Sequence, residues 1–317
     1  MEAGRQLTQS RRDHAAMIVK TDDPSRAIDL DLTFSCGQVF RWTKIEDGWV
    51  GIIGDSLVRL QQREGHLLVQ SSAPLPKSRI TSYLRLDDDL QSILKELSRD
   101  REFRKIVKSI PGLRMLRQDP WECLASFVCS RNCRVPMIRR IVRNISQRFG
   151  KRVTWGDYLD HSFPEAEIIS QASLSELASC GLRYGRRQAR ELKELARLIC
   201  EGEIDFGALK DTSYAEAKAR LMSFDHGVGN KVADCVLLFS LEKLESFPVD
   251  VWVARTVAEL YHDHLRPDLV SKAARGRSLT PRDYREISDF GRSHFGRYAG
   301  YAQEYIYHWK RLKEGVC

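Results

Sequence analysis

The chain has 317 residues, 42% of them hydrophobic and 30% charged, which is enough for one large domain or a few ordinary ones around a buried core. No stretch approaches the roughly 18 uncharged apolar residues of a transmembrane helix, so we expect no membrane partner. The opening residues MEAGRQLTQSRRDH lack the apolar segment of a secretory signal, which predicts an intracellular protein. No nuclear-import cluster is visible, so we expect a cytoplasmic, nucleoid-associated location (or the nucleus, in a eukaryote).

The formal net charge is +8, and many of the basic residues are concentrated in two segments with helical spacing. The first segment contains Arg131, Arg134, Arg139, Arg140, Arg143 and Arg148, and the second contains Arg183, Arg186, Arg187, Arg190, Lys193 and Arg197. Each segment is either a solvated helix face or a surface that contacts phosphates, and the residues alone leave both interpretations open.

Eight cysteines are scattered along the chain, at Cys36, Cys123, Cys129, Cys133, Cys180, Cys200, Cys235 and Cys317. A scattered pattern in a long intracellular chain does not indicate a disulfide framework. Zinc sites usually show closely spaced pairs, and the nearest spacing here, Cys129 to Cys133, has no second pair. We therefore expect no metal site and mostly buried core cysteines.

By pattern, the chain divides into three parts. Residues 1–23 are polar and unpatterned, which predicts a loose N-terminus. Residues 24–110 begin with the short β-type runs VFRW, GWVGIIG, SLVRLQQ and HLLVQ, and change to helical spacing after SAPLPKS. They predict an antiparallel-sheet domain with a helical tail. Residues 111–317 are mostly helical, so the predicted class is α+β, a small sheet followed by a larger helical body.

Four prolines are placed where helices are expected to begin, at Pro111, Pro120, Pro136 and Pro164. The most informative helical stretch is SYAEAKARLMSFDHGVGNKVADCVLLF, at residues 213–239. Its pattern predicts a helix, a tight glycine hairpin at Gly227, Val228 and Gly229, and a second helix. Such a hairpin presents backbone N–H groups beside a helix N-terminus, which is a site for an anion such as a DNA phosphate.

Lys231 is predicted at the first position of the second helix, after an Asn230 N-cap. The helix dipole disfavours a cation there by roughly 0.3–1 kcal/mol, but a nucleophilic lysine must be neutral. In catalytic lysines the pKa of the amine is lowered from about 10.4 to about 7–8, and burial would have to supply most of that shift. Taken alone, a lysine at a helix start is an ordinary surface residue, and Asp250 in FPVDVWV is a helix cap. Together, the two residues indicate a nucleophile and its partner.

This arrangement resembles the helix-hairpin-helix DNA glycosylases, and most closely their 8-oxoguanine DNA glycosylase branch. Four segments match in the same order over about 280 residues: GQVFRW, RMLRQDPWECLASFVCSRN, GVGNKVADCVLL with PVDV, and YAGYAQEYIY. The resemblance implies a bifunctional glycosylase and lyase that excises 8-oxoguanine, with formamidopyrimidine expected as well. Lys231 would attack C1′ and form a Schiff base, and Asp250 would stabilise the developing positive charge.

The resemblance also implies a pocket for a base that has been flipped out of the duplex. Gly37 matches the glycine whose carbonyl accepts the N7 hydrogen of 8-oxoguanine, and Gln303 matches the amide that reads the pairing edge. Cys235 and Tyr307 match the pair that sandwiches the base, with tyrosine in place of the expected phenylalanine. Without the resemblance, Gly37 is a turn glycine, and Cys235 and Tyr307 are core residues of helix faces.

Around the pocket, Asn132 and Tyr184 match residues that fill the gap in the duplex and wedge into it. Met137 and Gly185 stand where two arginines normally grip the unpaired cytosine, so a strong preference for cytosine is in doubt. Arg134 or Arg186 are the neighbouring residues that would have to replace them. Two further departures are Trp252 at an expected phosphate-binding histidine and His226 at an expected hairpin proline.

The implied mechanism requires no metal and no other cofactor. Related glycosylases carry an iron–sulfur cluster on four closely spaced C-terminal cysteines, but only Cys317 lies in that region, so we expect no cluster. The expected partner is damaged double-stranded DNA, bound by a monomer. Two alternatives are a glycosylase for another damaged base, against which Lys231 argues, and a non-catalytic DNA-binding module, against which its pairing with Asp250 argues.

Overall fold

The computed structural model describes residues 16–316, which form an antiparallel sheet near the N-terminus and a larger body of helices. The predicted α+β class is confirmed. The strands and the first helix of the sheet region are β1 (Met17–Lys20), α1 (Leu30–Ser35), β2 (Thr43–Ile45), β3 (Gly48–Ile53), β4 (Ser56–Arg63) and β5 (His66–Ser71). All pairings are antiparallel in the order β1-β5-β4-β3-β2, with Val50 opposite Arg59 and Leu60 opposite Val69.

The sheet begins earlier than the sequence predicts. Met17–Lys20, assigned to a loose terminus, pairs with β5, with Val19 fully buried opposite Leu67. Residues 1–15 of the predicted loose segment lie outside the described residues. The division of the chain into domains at residues 23 and 110 stays a prediction.

VFRW is not a strand, contrary to expectation, and its last residue, Trp42, packs on the face of the sheet instead of extending its edge. The Trp42 ring covers β3 at Gly51, where an added Cβ would lie 2.4 Å from the indole. Its N–H donates to the Tyr83 hydroxyl at 2.7 Å. Trp42 also stacks on Phe34 of α1, a helix that the sequence analysis missed, with ring centroids 4.1 Å apart.

The helical body contains fifteen further helices within the described residues and one unexpected β-hairpin. The elements are α2 (Lys77–Tyr83), α3 (Leu90–Leu97), α4 (Arg101–Ser109), α5 (Pro120–Cys129), α6 (Val135–Phe149), β6 (Arg152–Trp155), β7 (Tyr158–His161), α7 (Ala166–Gln171), α8 (Leu174–Ser179), α9 (Gly185–Cys200), α10 (Phe206–Asp211), α11 (Tyr214–Ser223), α12 (Asn230–Ser240), α13 (Val251–Leu260), α14 (Pro267–Ala274), α15 (Pro281–Phe295) and α16 (Ala299–Lys313). No helix among residues 16–316 is long and apolar enough to cross a bilayer.

Local signals explain several of these boundaries. Pro120 and Pro136 stand in the first turns of α5 and α6, as expected, and Pro164 lies two residues before α7. Pro111 is different, because it follows the end of α4 and begins no helix. Ser213 and Glu216 form a capping box at the start of α11.

Two helices of the body are nearly all buried and set the position of everything near them. In α12 every residue from Val232 to Ser240 is buried, and in α16 Tyr301 and Tyr305 are fully buried. Helix α12 packs on α5 and α11, and α16 packs on α4, α13 and α15. Residues at the ends of these helices are therefore held by rigid elements.

Arg114 joins the sheet region to the helical body through a fully buried guanidinium. Its Nε donates to the Ala27 carbonyl at 2.9 Å, its Nη1 donates to the carbonyls of Arg85 and Asp88 at 2.5 and 2.9 Å, and its Nη2 donates to the Ser25 carbonyl. A charge buried this deeply is stable only while those carbonyls hold it.

Arg114→Ala is expected to lower the free energy of unfolding by at least about 3 kcal/mol, because each hydrogen bond to a charged group contributes about 1.5–3 kcal/mol and four carbonyls lose a donor. Urea denaturation followed by circular dichroism measures the change. Arg104→Ala is the matched control, since that exposed arginine donates to a single carbonyl, that of Ser98. Equal stability of the two variants would contradict the assignment of Arg114 as the joint between the two regions.

Candidate active site

The glycine hairpin between α11 and α12 has the expected course and an unusual backbone. Asp225, His226 and Gly227 have φ values of 59°, 24° and 83°, three consecutive residues in the left-handed region. Val228 donates its N–H to the Asp225 carbonyl at 2.6 Å and buries its side chain. The hairpin therefore turns within four residues and ends at the start of α12.

The N-cap of α12 is Gly229 and not Asn230, so the sequence prediction is wrong by one residue. Gly229 has no side chain to cap the helix, and no side-chain hydrogen bond satisfies the first turn. The first-turn N–H groups therefore stay available to an external acceptor. Lys231 becomes the second residue of the helix, still within the positive end of its dipole.

Lys231 is partly buried and has no carboxylate within 4.0 Å among the described residues. Its Nζ lies 3.4 Å from the Ser130 hydroxyl and 5.8 Å from the centroid of the Phe127 ring. The face of the Phe127 ring attracts a cation, whereas the N-terminus of α12 disfavours one. Because no ion pair holds Nζ among the described residues, it stays accessible to a ligand.

Asp250 is the N-cap of α13, and its Oδ1 accepts the backbone N–H groups of Trp252 and Val253, both at 2.9 Å. Burial raises the pKa of its carboxyl, and the charge of Lys231 and the two backbone hydrogen bonds act in the opposite direction. The cap uses one carboxylate oxygen. Helix capping and a chemical role are thus compatible in the same residue.

Lys231 and Asp250 both line a cavity of about 1280 Å³. The cavity also contains all four residues of the expected base pocket, Gly37, Cys235, Gln303 and Tyr307, together with Asn132 and Arg134 at its rim. These residues come from positions up to 270 apart in the chain (37 to 307), so only the tertiary fold brings them together. The hairpin glycines, Tyr184 and Arg186 lie outside the cavity lining.

The Gln303 side chain is 5% exposed, and its Oε1 has no hydrogen-bond partner among the described residues. Buried amides are normally satisfied, so this oxygen is explained by a ligand that supplies a donor. Cys235 is 2% exposed, and burial raises the pKa of its thiol far above the usual range. Cys235 therefore carries a neutral thiol and forms an apolar wall of the cavity.

Gly37 can only be glycine at this place. Its φ of +95° is strained for other residues, and an added Cβ would lie 3.2 Å from the Tyr307 hydroxyl. Arg311 fixes the loop beside it by donating to the Cys36 carbonyl at 3.1 Å, while its guanidinium lies 5.2 Å from the Tyr307 ring centroid. Sequence reasoning missed Arg311, which has no signal apart from its distance of four residues from Tyr307.

A second group of residues lies beside the cavity, near the hairpin. Asn132 is exposed and adopts φ 55°, a conformation that asparagine tolerates better than most residues. Tyr184 is 44% exposed, and Arg131 lies over its ring at 5.7 Å. Arg131 also pairs with Glu191 and contacts Gly227, so it links Tyr184 to the hairpin.

The positions that depart from the family pattern lie in or near the cavity and at the start of α9. Met137 is partly buried and lines the cavity, whereas Gly185, with φ 52°, has open space around it at the start of α9. Arg134 and Arg186 are exposed, and neither has a carboxylate partner among the described residues. Trp252 is covered by the Arg255 guanidinium at 5.4 Å, a second cation at the rim that the sequence analysis did not identify.

Comparison with known proteins agrees with this architecture. Residues 21–124 match the family described as 8-oxoguanine DNA glycosylase, N-terminal domain, and residues 125–276 match the HhH-GPD superfamily base excision DNA repair protein. A 3-methyladenine DNA glycosylase from Archaeoglobus fulgidus shares the fold with a TM-score of 0.73 at 21% identity, over 94% of this chain and 99% of that one. The fold and site thus define a helix-hairpin-helix protein of base excision repair.

More similar proteins narrow the class. The N-glycosylase/DNA lyase OGG1 of Arabidopsis thaliana is 32% identical over 292 residues, which cover 88% of this chain and 76% of that protein. The structure of Clostridium acetobutylicum 8-oxoguanine glycosylase/lyase in complex with DNA containing cytosine opposite 8-oxoG has a TM-score of 0.81 and 31% identity, covering 96% of this chain and 97% of that one. The chain belongs to the 8-oxoguanine DNA glycosylase family.

Gly227→Ala is expected to weaken affinity for duplex DNA by about tenfold. A Cβ would force a left-handed alanine and lie 2.6 Å from Nη1 of Arg131, which must move from its place between the hairpin and Tyr184. Fluorescence anisotropy with a labelled duplex measures the affinity. Gly202→Ala is the control, because Gly202 has a similar φ of +75° but open space around it. Equal losses of affinity would show that strain alone, and not the hairpin contact, is responsible.

Proposed function

We propose that this protein is a bifunctional DNA glycosylase and lyase that excises 8-oxoguanine from duplex DNA in base excision repair. The observation that carries the proposal is a single cavity beside a glycine hairpin. It holds a lysine that forms no ion pair with a described carboxylate, an aspartate that caps a helix, and a buried amide oxygen without a hydrogen-bond partner among the described residues. The family membership and the names of the relatives, which include glycosylase/lyases, support the same activity.

In the first step, the lone pair of neutral Lys231 Nζ forms a bond to C1′ of the damaged nucleotide. The bond from C1′ to N9 breaks, and its electron pair leaves with the base. Positive charge develops on the sugar in this transition state. Asp250 faces it with the carboxylate oxygen that does not cap α13, and stabilises that charge.

In the second step, the C1′–O4′ bond breaks as the sugar ring opens, O4′ takes the proton of the alkylated Lys231 amine, and the covalent product is a Schiff base between Nζ and C1′. The iminium draws electrons and acidifies the C2′ hydrogen, so its removal expels the 3′-phosphate by β-elimination. Water then releases the lysine. Each step uses groups of the protein, the DNA and water, so we propose that the reaction needs no cofactor.

For the base itself, we propose a sandwich between Cys235 and Tyr307, with Gln303 on the pairing edge and the Gly37 carbonyl as acceptor for N7–H. Normal guanine carries an acceptor at N7, so it would leave the Gly37 carbonyl unpaired. A lost buried hydrogen bond of this kind costs about 1–3 kcal/mol. Formamidopyrimidine lesions keep an N–H in the corresponding place, so we include them as substrates.

For the duplex, we propose that the N–H groups of Gly227, Val228 and Gly229 bind a phosphate, and that Asn132 and Tyr184 occupy the gap left by the flipped base. Arg134 and Arg186 are candidates for contacts to the opposite strand. Because Met137 and Gly185 cannot donate hydrogen bonds to a cytosine, we propose a weak preference for the base opposite the lesion.

The oligomeric state, the location and the absence of an iron–sulfur cluster are further parts of the proposal. We propose that the protein acts as a monomer on damaged double-stranded DNA inside the cell, in the cytoplasm with the nucleoid or in the nucleus of a eukaryote. We also propose that it carries no iron–sulfur cluster. The described cysteines are free and no group of metal-ligating side chains occurs among residues 16–316, while Cys317 lies outside them.

Borohydride trapping on a duplex with one 8-oxoguanine tests the nucleophile. The wild-type protein is expected to give a covalent adduct, because borohydride reduces the Schiff base, and Lys231→Gln is expected to give none. Denaturing gel electrophoresis measures the adduct. If the wild type neither forms an adduct nor releases the base, the protein is a non-catalytic DNA-binding module. Base release without an adduct would instead mean a monofunctional enzyme in which Asp250 activates water.

Asp250→Asn is expected to slow base release by about 100-fold or more, which is the usual scale for losing a group that stabilises transition-state charge. The amide oxygen can still accept from Trp252 and Val253, so the melting temperature should change little. Single-turnover excision and thermal denaturation are the two measurements. A wild-type excision rate in this variant would contradict the electrostatic role and leave helix capping as the function of Asp250.

A further inference from the structure

Two neighbouring residues of α16 present buried oxygens that nothing in the described chain satisfies. Gln303 and Glu304 are 5% and 2% exposed, both line the cavity, and Oε1 of each lacks a hydrogen-bond partner among residues 16–316. Gln303 is explained by the proposed reading of the base. Glu304 has no role in the mechanism so far. The Cys36 thiol hydrogen-bonds to its carboxyl, but Oε1 is buried without a partner among residues 16–316 and requires an explanation.

The groups around Glu304 do not neutralise it. Arg311, seven residues further along α16, donates to the carbonyls of Cys36 and Val316 and forms no ion pair with Glu304. The other titratable groups that face it are the thiols of Cys36 and Cys235, Tyr307 and Asp250. The pKa of Glu304 is raised to about 7, because burial raises it more than the hydrogen bond from Cys36 and the charge of Arg311 lower it, and the charge of Asp250 also raises it. Much of the protein therefore carries a neutral glutamic acid at this place near neutral pH.

A neutral carboxyl has an O–H donor beside a C=O acceptor. The lactam groups of 8-oxoguanine, N1–H with C6=O and N7–H with C8=O, have the complementary pair of an N–H donor and a carbonyl acceptor. When the bond from C1′ to N9 breaks, the electron pair left on the base spreads onto these carbonyl oxygens. A hydrogen-bond donor that contacts one of these oxygens stabilises the transition state, in which the negative charge develops, more than it stabilises the bound substrate.

We propose that Glu304 is a further catalytic residue, a proton donor to a carbonyl oxygen of the departing base. This inference rests on the proposed glycosylase function. As Lys231 bonds to C1′ and the C1′–N9 bond breaks, the Glu304 proton moves onto the base, which leaves as a neutral molecule. Glu304 becomes a carboxylate and takes a new proton from water, while the alkylated Lys231 amine gives up its own.

The test compares two substrates, because only one of them carries a base. The first is a duplex with one 8-oxoguanine, on which base release is measured in a single turnover. The second is the same duplex with an abasic site, on which Lys231-dependent strand cleavage and borohydride trapping are measured. A group that acts on the departing base affects the first substrate and has nothing to act on in the second.

Glu304→Ala is expected to slow base release by about 100-fold, the lower end of what a positioned proton donor contributes. Glu304→Gln keeps an N–H donor but cannot give up a proton, so a loss of about tenfold is expected. Both variants should cleave and trap the abasic duplex at the wild-type rate. Glu102→Gln is the matched control, because this glutamate on α4 pairs with Lys105 and does not line the cavity.

The pH dependence gives a second readout. At each pH, the ratio of the wild-type rate to the Glu304→Gln rate cancels the contributions of groups whose pKa the substitution leaves unchanged. A proton donor whose pKa is about 7 is mostly protonated one unit below that value and mostly ionised one unit above it. The ratio is therefore expected to fall by up to about tenfold as pH rises across that interval.

Two results would overturn the proposal. If Glu304→Ala releases 8-oxoguanine at the wild-type rate, Glu304 does not act on the base. If base release and abasic-site cleavage fall together, with a lower melting temperature, Glu304 only supports the fold. Failure of the glycosylase function itself is distinguishable from both, because then the wild-type protein would release no base at all.

Discussion

The buried carboxylate of Asp234 is the interaction on which the site depends. It lies on α12 one helical turn after Lys231, is fully buried, and accepts hydrogen bonds from Tyr214 and Lys218 of α11 at 2.7 and 2.8 Å. Tyr284 of α15 donates to it at 2.6 Å, and the same hydroxyl accepts the N–H of Val249 at 3.2 Å. One carboxylate thus ties the hairpin helices to the residue immediately before Asp250. Lys231 and Asp250 are therefore positioned by the same hydrogen-bond network.

This network explains how strained and poorly solvated groups persist at the site. Three consecutive residues of the hairpin are in the left-handed region, Lys231 lies at the unfavourable end of a helix, and Asp250 is a buried carboxyl. The left-handed residues Asp225 and His226 and the buried carboxyl cost stability, although Asp250 returns some of it as the N-cap of α13. The buried faces of α12 and α16, together with joints such as Arg114, provide the stability that offsets them.

The sequence predicted the class and the hairpin from local signatures, because apolar spacing distinguishes the helical body from the sheet and Gly227 takes a left-handed φ of 83°. The candidates for the cavity came from the family resemblance, since Gly37, Cys235 and Tyr307 have no local signature of a pocket. The sequence failed where tertiary contacts decide. Trp42 belongs to a β-type run but packs across Gly51, and Met17–Lys20 becomes a strand because β5 offers it an edge. Glu304 shows no signal in the sequence, since its environment is built from Cys36, Arg311 and Asp250.

Two carboxyls share one cavity, and their surroundings divide the chemistry between them. Burial raises the pKa of both, and each negative charge would oppose the other. Asp250 has two backbone N–H donors and the charge of Lys231 to hold its ionised form, whereas Oε1 of Glu304 has no donor in the described chain. If only one proton is to be held between them, it belongs on Glu304. Neighbouring carboxyls whose environments differ in this way are suited to opposite tasks, one as a stabilising anion and one as an acid.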